Sequence, residues 1–130
     1  MINSSIILIV EDDDNLRFLT IRQLKKLGFS CHVASDGLEA VDMVSKQKYD
    51  LILMDVMMPK LDGYEATRKI RVYQQEKQQN RTPIVGMTAY GTENTCLEAG
   101  MDAYLPKPVL LPALQLTLES FLTDAEIQGS

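Results

Sequence analysis

The sequence predicts an α/β domain built on an open parallel β-sheet with helices on both faces. Apolar runs of strand length alternate with segments whose apolar residues recur at helical spacing, which is typical of repeated strand–helix–strand units. Several of these runs stop at polar or charged residues. The predicted strands cover residues 6–10, 30–34, 51–55, 84–87 and 103–105.

The composition fits one globular domain. The 130 residues are 45% hydrophobic and 24% charged, which argues against disorder. A net charge of −5 disfavours a nucleic-acid partner, because phosphate binding relies on clustered Lys and Arg. The apolar run near the N-terminus, residues 6–10, is too short for a signal sequence or a membrane span, so we expect a cytoplasmic protein. Cys31 and Cys96 lack metal-type spacing and are expected to be free thiols.

The first two helices have recognisable ends. Asp13 or Asp14 is placed to cap helix one, and Gly28 occupies the position of its C-terminal cap. Asp36, with Glu39 three residues later, resembles a capping box at the start of helix two. The apolar residues at helical spacing are Leu16, Leu19, Leu24 and Leu27 in helix one, and Ala40, Val41 and Val44 in helix two.

The second half of the chain continues the alternation. Asp62 and Glu65 repeat the capping pattern before a helix that contains Ala66 and Ile70. Residues 74–82 are rich in Gln and charged side chains, so we expect a frayed helix end and a solvated loop there. A short helix over residues 92–99 is predicted to end at Gly100, and the apolar stripe of a last helix is Leu111, Leu114, Leu118 and Phe121. The domain is predicted to span residues 1–122, followed by a disordered tail over residues 123–130.

Polar side chains follow the ends of four predicted strands. Glu11 and Asp12 follow the first, Asp55 ends the third, Thr88 follows the fourth, and Lys107 comes shortly after the fifth. In an open parallel sheet the functional crevice lies beyond the carboxyl ends of the strands, so we expect these groups to converge. The three carboxylates are hard oxygen ligands of the kind that Mg²⁺ prefers.

The same residues predict a reaction. A carboxylate held beside a divalent ion can attack phosphorus and form an aspartyl phosphate, and Asp55 is the candidate nucleophile. Lys107 and the Thr88 hydroxyl would stabilise the transferred oxygens, since phosphoryl transfer depends mostly on positioning and charge stabilisation.

The chain resembles the receiver domain of two-component response regulators, over residues 6–122. The matching marks occur in the family's order: the acidic pair Glu11-Asp12, the stretch Met54-Asp55-Val56-Met57-Met58-Pro59 with Asp62-Gly63, then Thr88-Ala89, Tyr104 and Lys107-Pro108. The look of residues 62–68 and the polar insertion after helix three are closest to the receivers of hybrid histidine kinases.

The resemblance implies a flavodoxin-like sheet of order 2-1-3-4-5 and phosphorylation of Asp55 by a histidine kinase or a histidine phosphotransfer protein. It also implies Mg²⁺ held by Glu11, Asp12, Asp55 and the backbone carbonyl of Met57. Thr88 and Tyr104 would be the switch pair, and the Lys107-Pro108 bond is expected to be cis. A phosphorylation-dependent dimer is a further expectation. The chain departs from the commonest pattern in using Glu11 as the first acid and in having Pro106 before Lys107.

Two further expectations concern partners and phosphoryl lifetime. The apolar residues of helix one spread too widely for one face to bury them all, so partners are expected to dock there, beside the acidic site. In receivers the side chains two residues after the acceptor and two after the switch Thr flank the path of hydrolytic water. Here they are Met57 and Tyr90, which predicts a long-lived phosphorylated form.

Three alternatives remain open at the level of sequence. An aspartyl-phosphate phosphatase of the haloacid dehalogenase type would normally have a second Asp two residues after the nucleophile, where this chain has Met57. A flavodoxin-like cofactor binder would need a phosphate loop after strand one, where residues 11–14 are all acidic and would repel a phosphate. A degenerate receiver used only for protein contacts would lack an active-site residue, and none is missing.

Overall fold

Five strands alternate with five helices in the computed structural model, which describes residues 5–58, 61–89 and 93–122. The strands are β1 (Ile6–Val10), β2 (Ser30–Ala34), β3 (Leu51–Asp55), β4 (Ile84–Thr88) and β5 (Ala103–Pro106). The helices are α1 (Asp14–Lys26), α2 (Gly37–Lys46), α3 (Gly63–Glu76), α4 (Glu93–Glu98) and α5 (Leu111–Phe121). The predicted alternation of elements is therefore confirmed.

The strands form one parallel sheet in the order β2-β1-β3-β4-β5. All carboxyl ends consequently lie along one edge, here named the carboxyl edge, and the opposite edge is the amino edge. Asp55 at the end of β3 is in register with Met87 of β4, and Thr88 is in register with Pro106 of β5. The predicted fold class and strand order are confirmed.

Both faces of the three central strands, β1, β3 and β4, are buried, as their nearly continuous apolar sequences predict. Side chains alternate along β1, so that Leu8 and Val10 join one core and Ile7 and Ile9 join the other. The first core is completed by residues of α2, α3 and α4, including Ala40, Val44, Ala66, Ile70 and Cys96. The second core is completed by residues of α1 and α5, including Leu24, Leu114 and Leu118.

The predicted helix starts are confirmed for the first three helices. The carboxylates of Asp13, Asp36 and Asp62 accept backbone N–H groups three residues later, at 2.9, 2.8 and 2.9 Å. Asp13, rather than Asp14, is thus the cap of α1. Gly28 follows α1 with a φ of 90°, a left-handed conformation that favours glycine, as predicted for a C-terminal cap.

The prediction for residues 74–82 was wrong in part. Helix α3 continues to Glu76, and the side chains of Gln74 and Thr82 are buried and joined by a hydrogen bond of 2.8 Å. These two side chains satisfy each other's hydrogen-bonding groups inside the protein, whereas composition alone assigns them to solvent. The described part of α4 ends at Glu98, one residue earlier than predicted. Thr92, Pro59, Tyr90 and the predicted tail lie outside the described residues.

A guanidinium group organises the amino edge. Arg71 of α3 donates from Nε to the carbonyl of Gly100 at 2.9 Å and from Nη1 to the carbonyl of Thr82 at 2.6 Å. Its Nη2 lies 2.8 Å from Oδ2 of Asp102, and the two side chains are 14% and 20% exposed. Burial, followed by the nearby charge of Arg81, lowers the pKa of Arg71 to about 10, while Asp102 acts in the opposite direction. Arg71 therefore stays charged at neutral pH.

Asp102 is the common acceptor of this edge. Its Oδ2 also accepts the N–H of Ile84 at 2.9 Å, and its Oδ1 accepts Nη2 of Arg81 at 2.9 Å. The carboxylate thus joins α3 to the first residue of β4 and to the approach to β5.

Among the described residues, no helix combines the length and apolar character that a membrane crossing requires. Cys31 is half-buried and Cys96 is buried, and the two are not joined by a disulfide.

Candidate functional site

Two acidic residues follow β1 at the carboxyl edge. The N–H of Glu11 donates to the carbonyl of Ala34 at 3.1 Å, and Nη1 of Arg17 donates to the Glu11 carbonyl at 2.9 Å. These bonds fix the main chain between β1 and α1. The Glu11 side chain is buried beneath the site, and Asp12 is exposed at its surface.

Asp55 is a buried carboxylate at the end of the central strand β3, with 1% of the residue exposed. The chain after it is held by two backbone bonds of 3.0 Å, from the N–H of Val56 to the carbonyl of Met87 and from the N–H of Gly63 to the carbonyl of Val56. The N–H of Met57 donates to Oδ1 of Asp55 at 3.3 Å. The loop after β3 therefore folds back over the carboxylate.

Lys107 brings a cation to the two buried acids. Its backbone N–H donates to the Thr88 carbonyl at 3.0 Å, which fixes the chain after β5 against the end of β4. Its Nζ lies 2.8 Å from Oδ1 of Asp55 and 3.1 Å from Oε1 of Glu11. Burial lowers the pKa of Lys107, but the bonds and charges of the two carboxylates outweigh it and leave the pKa raised.

Glu11, Asp12 and Asp55 form a group that suits a hard cation, with carboxylate oxygens within 4.8 Å of one another. The pKa of Glu11 is raised to about 7, first by burial and then by the hydrogen bond and charge of Asp55, while Lys107 opposes the rise. Keeping all three acids ionised is therefore unfavourable when, among the described residues, Lys107 is the one positive charge beside them. Mg²⁺ takes carboxylates together with waters or phosphate oxygens, so this donor set fits it.

A comparison with protein-family models decides the family. The model of the response regulator receiver domain matches residues 7–119 of this chain. The chain belongs to the receiver domain family. It is a receiver domain of two-component phosphorelay signalling.

The curated relatives of this receiver domain are much longer proteins. It is 44% identical over 116 residues to the sensor histidine kinase RcsC of Salmonella typhi, a match that covers 86% of this chain and 12% of that protein. It is 39% identical over 120 residues to the hybrid signal transduction protein dokA of Dictyostelium discoideum, covering 92% of this chain and 7% of that protein. The chain therefore spans about a tenth of the relatives that it matches.

Solved structures resemble this receiver domain over nearly its whole length. One is the receiver domain of the sensor histidine kinase PA1611 from Pseudomonas aeruginosa, with a magnesium ion coordinated in its active-site cleft. It has a TM-score of 0.81 and 39% identity, and covers 90% of this chain and 96% of that one. Another is the receiver domain of Saccharomyces cerevisiae Ssk1, crystallised with the histidine phosphotransfer protein Ypd1. It has a TM-score of 0.85 and 29% identity, and covers 98% of this chain and 99% of that one.

The receiver's predicted site residues are brought together to different degrees. Lys107 contacts both Glu11 and Asp55 directly, and the carboxylate oxygens of Glu11, Asp12 and Asp55 lie within 4.8 Å of one another. Thr88 is buried at the end of the strand beside Asp55. The Lys107-Pro108 bond is cis, as predicted.

Two of the predicted switch and shielding residues, Tyr104 and Met57, have exposed side chains. Tyr104 is 36% exposed on β5, so the inward position of its ring that the switch role implies is not the one seen here. Met57 is 71% exposed beside Asp55. Tyr90 lies outside the described residues.

Sequence reasoning missed two residues that support the site from α1. Arg17 bonds the Glu11 carbonyl, and Gln23 bonds the carbonyl of Val109 at 2.8 Å. A polar residue within the apolar stripe of α1 is the one signal that could have marked Gln23, whereas Arg17 carries no such signal.

Proposed function

We propose that this receiver domain accepts a phosphoryl group on Asp55 from a phosphohistidine of a histidine kinase or a histidine phosphotransfer protein. The observation that carries the proposal is the contact of one ammonium group, Lys107, with both Asp55 and Glu11 at the carboxyl edge. Carboxylates crowded in this way are suited to attack on phosphorus once their mutual repulsion is relieved.

The proposed reaction moves one phosphoryl group between two partners. A carboxylate oxygen of Asp55 forms a bond to phosphorus, and the bond from phosphorus to the imidazole nitrogen of the donor breaks. The imidazole keeps the electron pair of that bond and takes up a proton as it leaves. Lys107 stabilises the oxygens in transfer by its charge, and Thr88 by its hydroxyl. The domain is no enzyme for another substrate; at most it catalyses its own phosphorylation and dephosphorylation.

Mg²⁺ is the proposed cofactor. Glu11, Asp12, Asp55 and the backbone carbonyl of Met57 would hold it, and when bound it would neutralise charge on the phosphoryl oxygens. The close approach of the three carboxylates supports this assignment, and so does the magnesium ion of the similar Pseudomonas aeruginosa receiver.

Partner docking is proposed on α1, next to the site. Phe18 and Leu19 are 61% and 44% exposed, whereas Leu24 is fully buried, which supports the expectation that α1 leaves apolar surface uncovered. Ile21 packs partly against the core, so Phe18 is the better position to test. The structure of Ssk1 with a phosphotransfer protein supports a partner of this class. A phosphorylation-dependent dimer stays a prediction, which sedimentation of the phosphorylated protein would check.

The test is labelling with radioactive acetyl phosphate at a fixed Mg²⁺ concentration. Asp55→Asn is expected to abolish the label, because the amide is not a nucleophile. Asp62→Asn serves as the matched control, since Asp62 caps α3 close to the site but lies outside the acidic group. Label at wild-type stoichiometry in Asp55→Asn would contradict the assignment, and absence of label in the wild type would favour a receiver used only for protein contacts.

A further inference from the structure

A glutamine of α1 reaches the segment that carries Lys107. Nε2 of Gln23 donates a hydrogen bond of 2.8 Å to the carbonyl of Val109, 86 positions along the chain. Because a carbonyl can only accept, the nitrogen of the amide must face Val109. Val109 lies two residues after Lys107, so this bond ties α1 to the segment that leads away from the ammonium group.

The oxygen of the same amide is buried and leaves its hydrogen-bonding capacity unused among the described residues. Oε1 of Gln23 is buried and has no hydrogen-bond partner within the part of the chain that the structure describes. Gln23 also lines a cavity of about 20 Å³, together with Glu11 and Lys107. This volume accommodates about one water molecule, and a buried amide oxygen without a partner is costly.

The ammonium group of Lys107 has a donor available for such a water. It carries three N–H groups, and its two carboxylate contacts are with Asp55 and Glu11. A water in the shared cavity would accept from the third N–H and donate to Oε1 of Gln23. Both ends of the Gln23 amide would then restrain Lys107.

We propose that Gln23 is a positioning residue for phosphoryl transfer and acts through Lys107, by its bond to Val109 and by one water in the shared cavity. The inference rests on the proposed phosphorylation of Asp55. It follows because charge stabilisation by Lys107 depends on where its ammonium group sits, and displacements of about 1 Å are enough to slow a positioned reaction markedly.

The first test is Gln23→Met, which keeps the length and volume of the side chain but removes both hydrogen-bonding groups. The rate of labelling by acetyl phosphate at saturating Mg²⁺ is expected to fall by about threefold to tenfold, the effect of losing about one hydrogen bond. Mg²⁺ affinity, measured separately by titration, is expected to change by less than about twofold, because every carboxylate ligand is retained. A labelling rate equal to that of the wild type would overturn the proposal.

A double-mutant cycle separates positioning of Lys107 from a general loss of structure. If Gln23 acts through Lys107, Gln23→Met has no further effect on the labelling rate when Lys107 is already replaced by alanine. The same fold loss in both backgrounds would overturn the proposal. Urea denaturation shows whether Gln23→Met is folded. If it is not, Gln23→Glu is measured in the same way, because an ionised carboxylate has a similar shape but cannot donate to Val109.

Thr20→Val is the matched control. Thr20 lines the same cavity from the same helix, and its hydroxyl bonds within α1, to the Leu16 carbonyl at 3.0 Å. Its labelling rate is expected to match the wild type, and a fall as large as that of Gln23→Met would overturn the proposal. A wild-type protein that takes no label contradicts the assignment of Asp55, whereas a labelled wild type with an equally fast Gln23→Met contradicts only the role of Gln23.

Discussion

The two edges of the sheet treat charge in opposite ways. At the carboxyl edge, three carboxylates lie close together, one ammonium group contacts two of them, and the pKa of Glu11 is raised to about 7. At the amino edge, one carboxylate, Asp102, is shared by the guanidinium groups of Arg71 and Arg81 and by a backbone N–H. Acids are in excess at the first edge, and donors are in excess at the second.

This difference suggests that the amino edge mainly stabilises the fold and that the carboxyl edge serves function. A partly buried ion pair contributes when its remaining donors and acceptors are also bonded, as they are around Arg71. A group of like charges is unfavourable by itself and becomes favourable only when a cation joins it. The amino edge should therefore be insensitive to ligands, and the carboxyl edge should respond strongly to Mg²⁺.

The largest expected effect is at the amino edge. Arg71→Met should lower the free energy of unfolding by about 3 kcal/mol, because it leaves buried acceptors without their donor. Urea denaturation measures it, and Mg²⁺-dependent labelling of the folded fraction should persist. Arg68→Met is the matched control on the same helix, since its ion pair with Glu65 is exposed and should contribute less than about 1 kcal/mol. Equal losses in the two variants would remove the contrast between the edges.

At the carboxyl edge, Asp12→Ala should weaken Mg²⁺ binding and at the same time stabilise the metal-free protein. Mg²⁺ affinity is expected to fall at least about tenfold, because one of few carboxylate ligands is lost. The melting temperature without metal is expected to rise, because like-charge repulsion is reduced. Metal titration and thermal melting check the two parts, with Asp42→Ala on α2 as a control outside the acidic group. Unchanged Mg²⁺ affinity would contradict the ligand role.

Phosphoryl lifetime tests how open the carboxyl edge is to water. Replacing Met57 with Asn and Tyr90 with Glu should speed loss of the phosphoryl group by about tenfold, a barrier change of about 1.4 kcal/mol, because polar groups can orient the attacking water. Decay of radiolabelled protein at fixed Mg²⁺ measures the rate. Met57→Leu keeps an apolar cover and should leave the lifetime unchanged. Equal or slower decay in the double variant would reject shielding by these side chains.

The smallest expected effect lies on α1, beside the carboxyl edge. Phe18→Asp should slow transfer from a phosphotransfer protein by about fivefold, the equivalent of about 1 kcal/mol at an apolar interface position, while labelling by acetyl phosphate stays intact. Val72→Asp, at a similarly exposed position on α3, should affect neither donor. A parallel loss with both donors in Phe18→Asp would indicate misfolding rather than lost docking.

The elements that sequence predicts best depend on local chemistry. The caps Asp36 and Asp62 bond residues only three positions away, and each strand is a short apolar run, so neighbouring residues contain the signal. The convergence of Glu11, Asp55 and Lys107 was also predictable, because parallel strands direct their carboxyl ends to one edge. The position of each residue at or after the end of a strand was enough to predict that the three lie close together.

What the sequence could not supply are the long-range polar contacts. Arg71 and Asp102 are 31 positions apart, and Gln23 and Val109 are 86 positions apart, so no local pattern relates them. Gln74 and Thr82 are only eight positions apart. Their burial depends on how α3 packs rather than on the residues around them, so composition assigned them to solvent. The exposure of Tyr104 likewise depends on how β5 packs.

Gly63 has a consequence for the way mutational data on this domain are interpreted. A Cβ at this position would lie 2.2 Å from the backbone carbonyl oxygen of Asp55, so any larger residue must displace either the start of α3 or the acceptor itself. In a saturation screen for signalling, position 63 should tolerate substitution as poorly as position 55, although glycine offers no group that takes part in the chemistry. Glycine would be required at position 63 because there is no room for a side chain. Intolerance of substitution alone would therefore not distinguish Gly63 from a residue that takes part in the reaction.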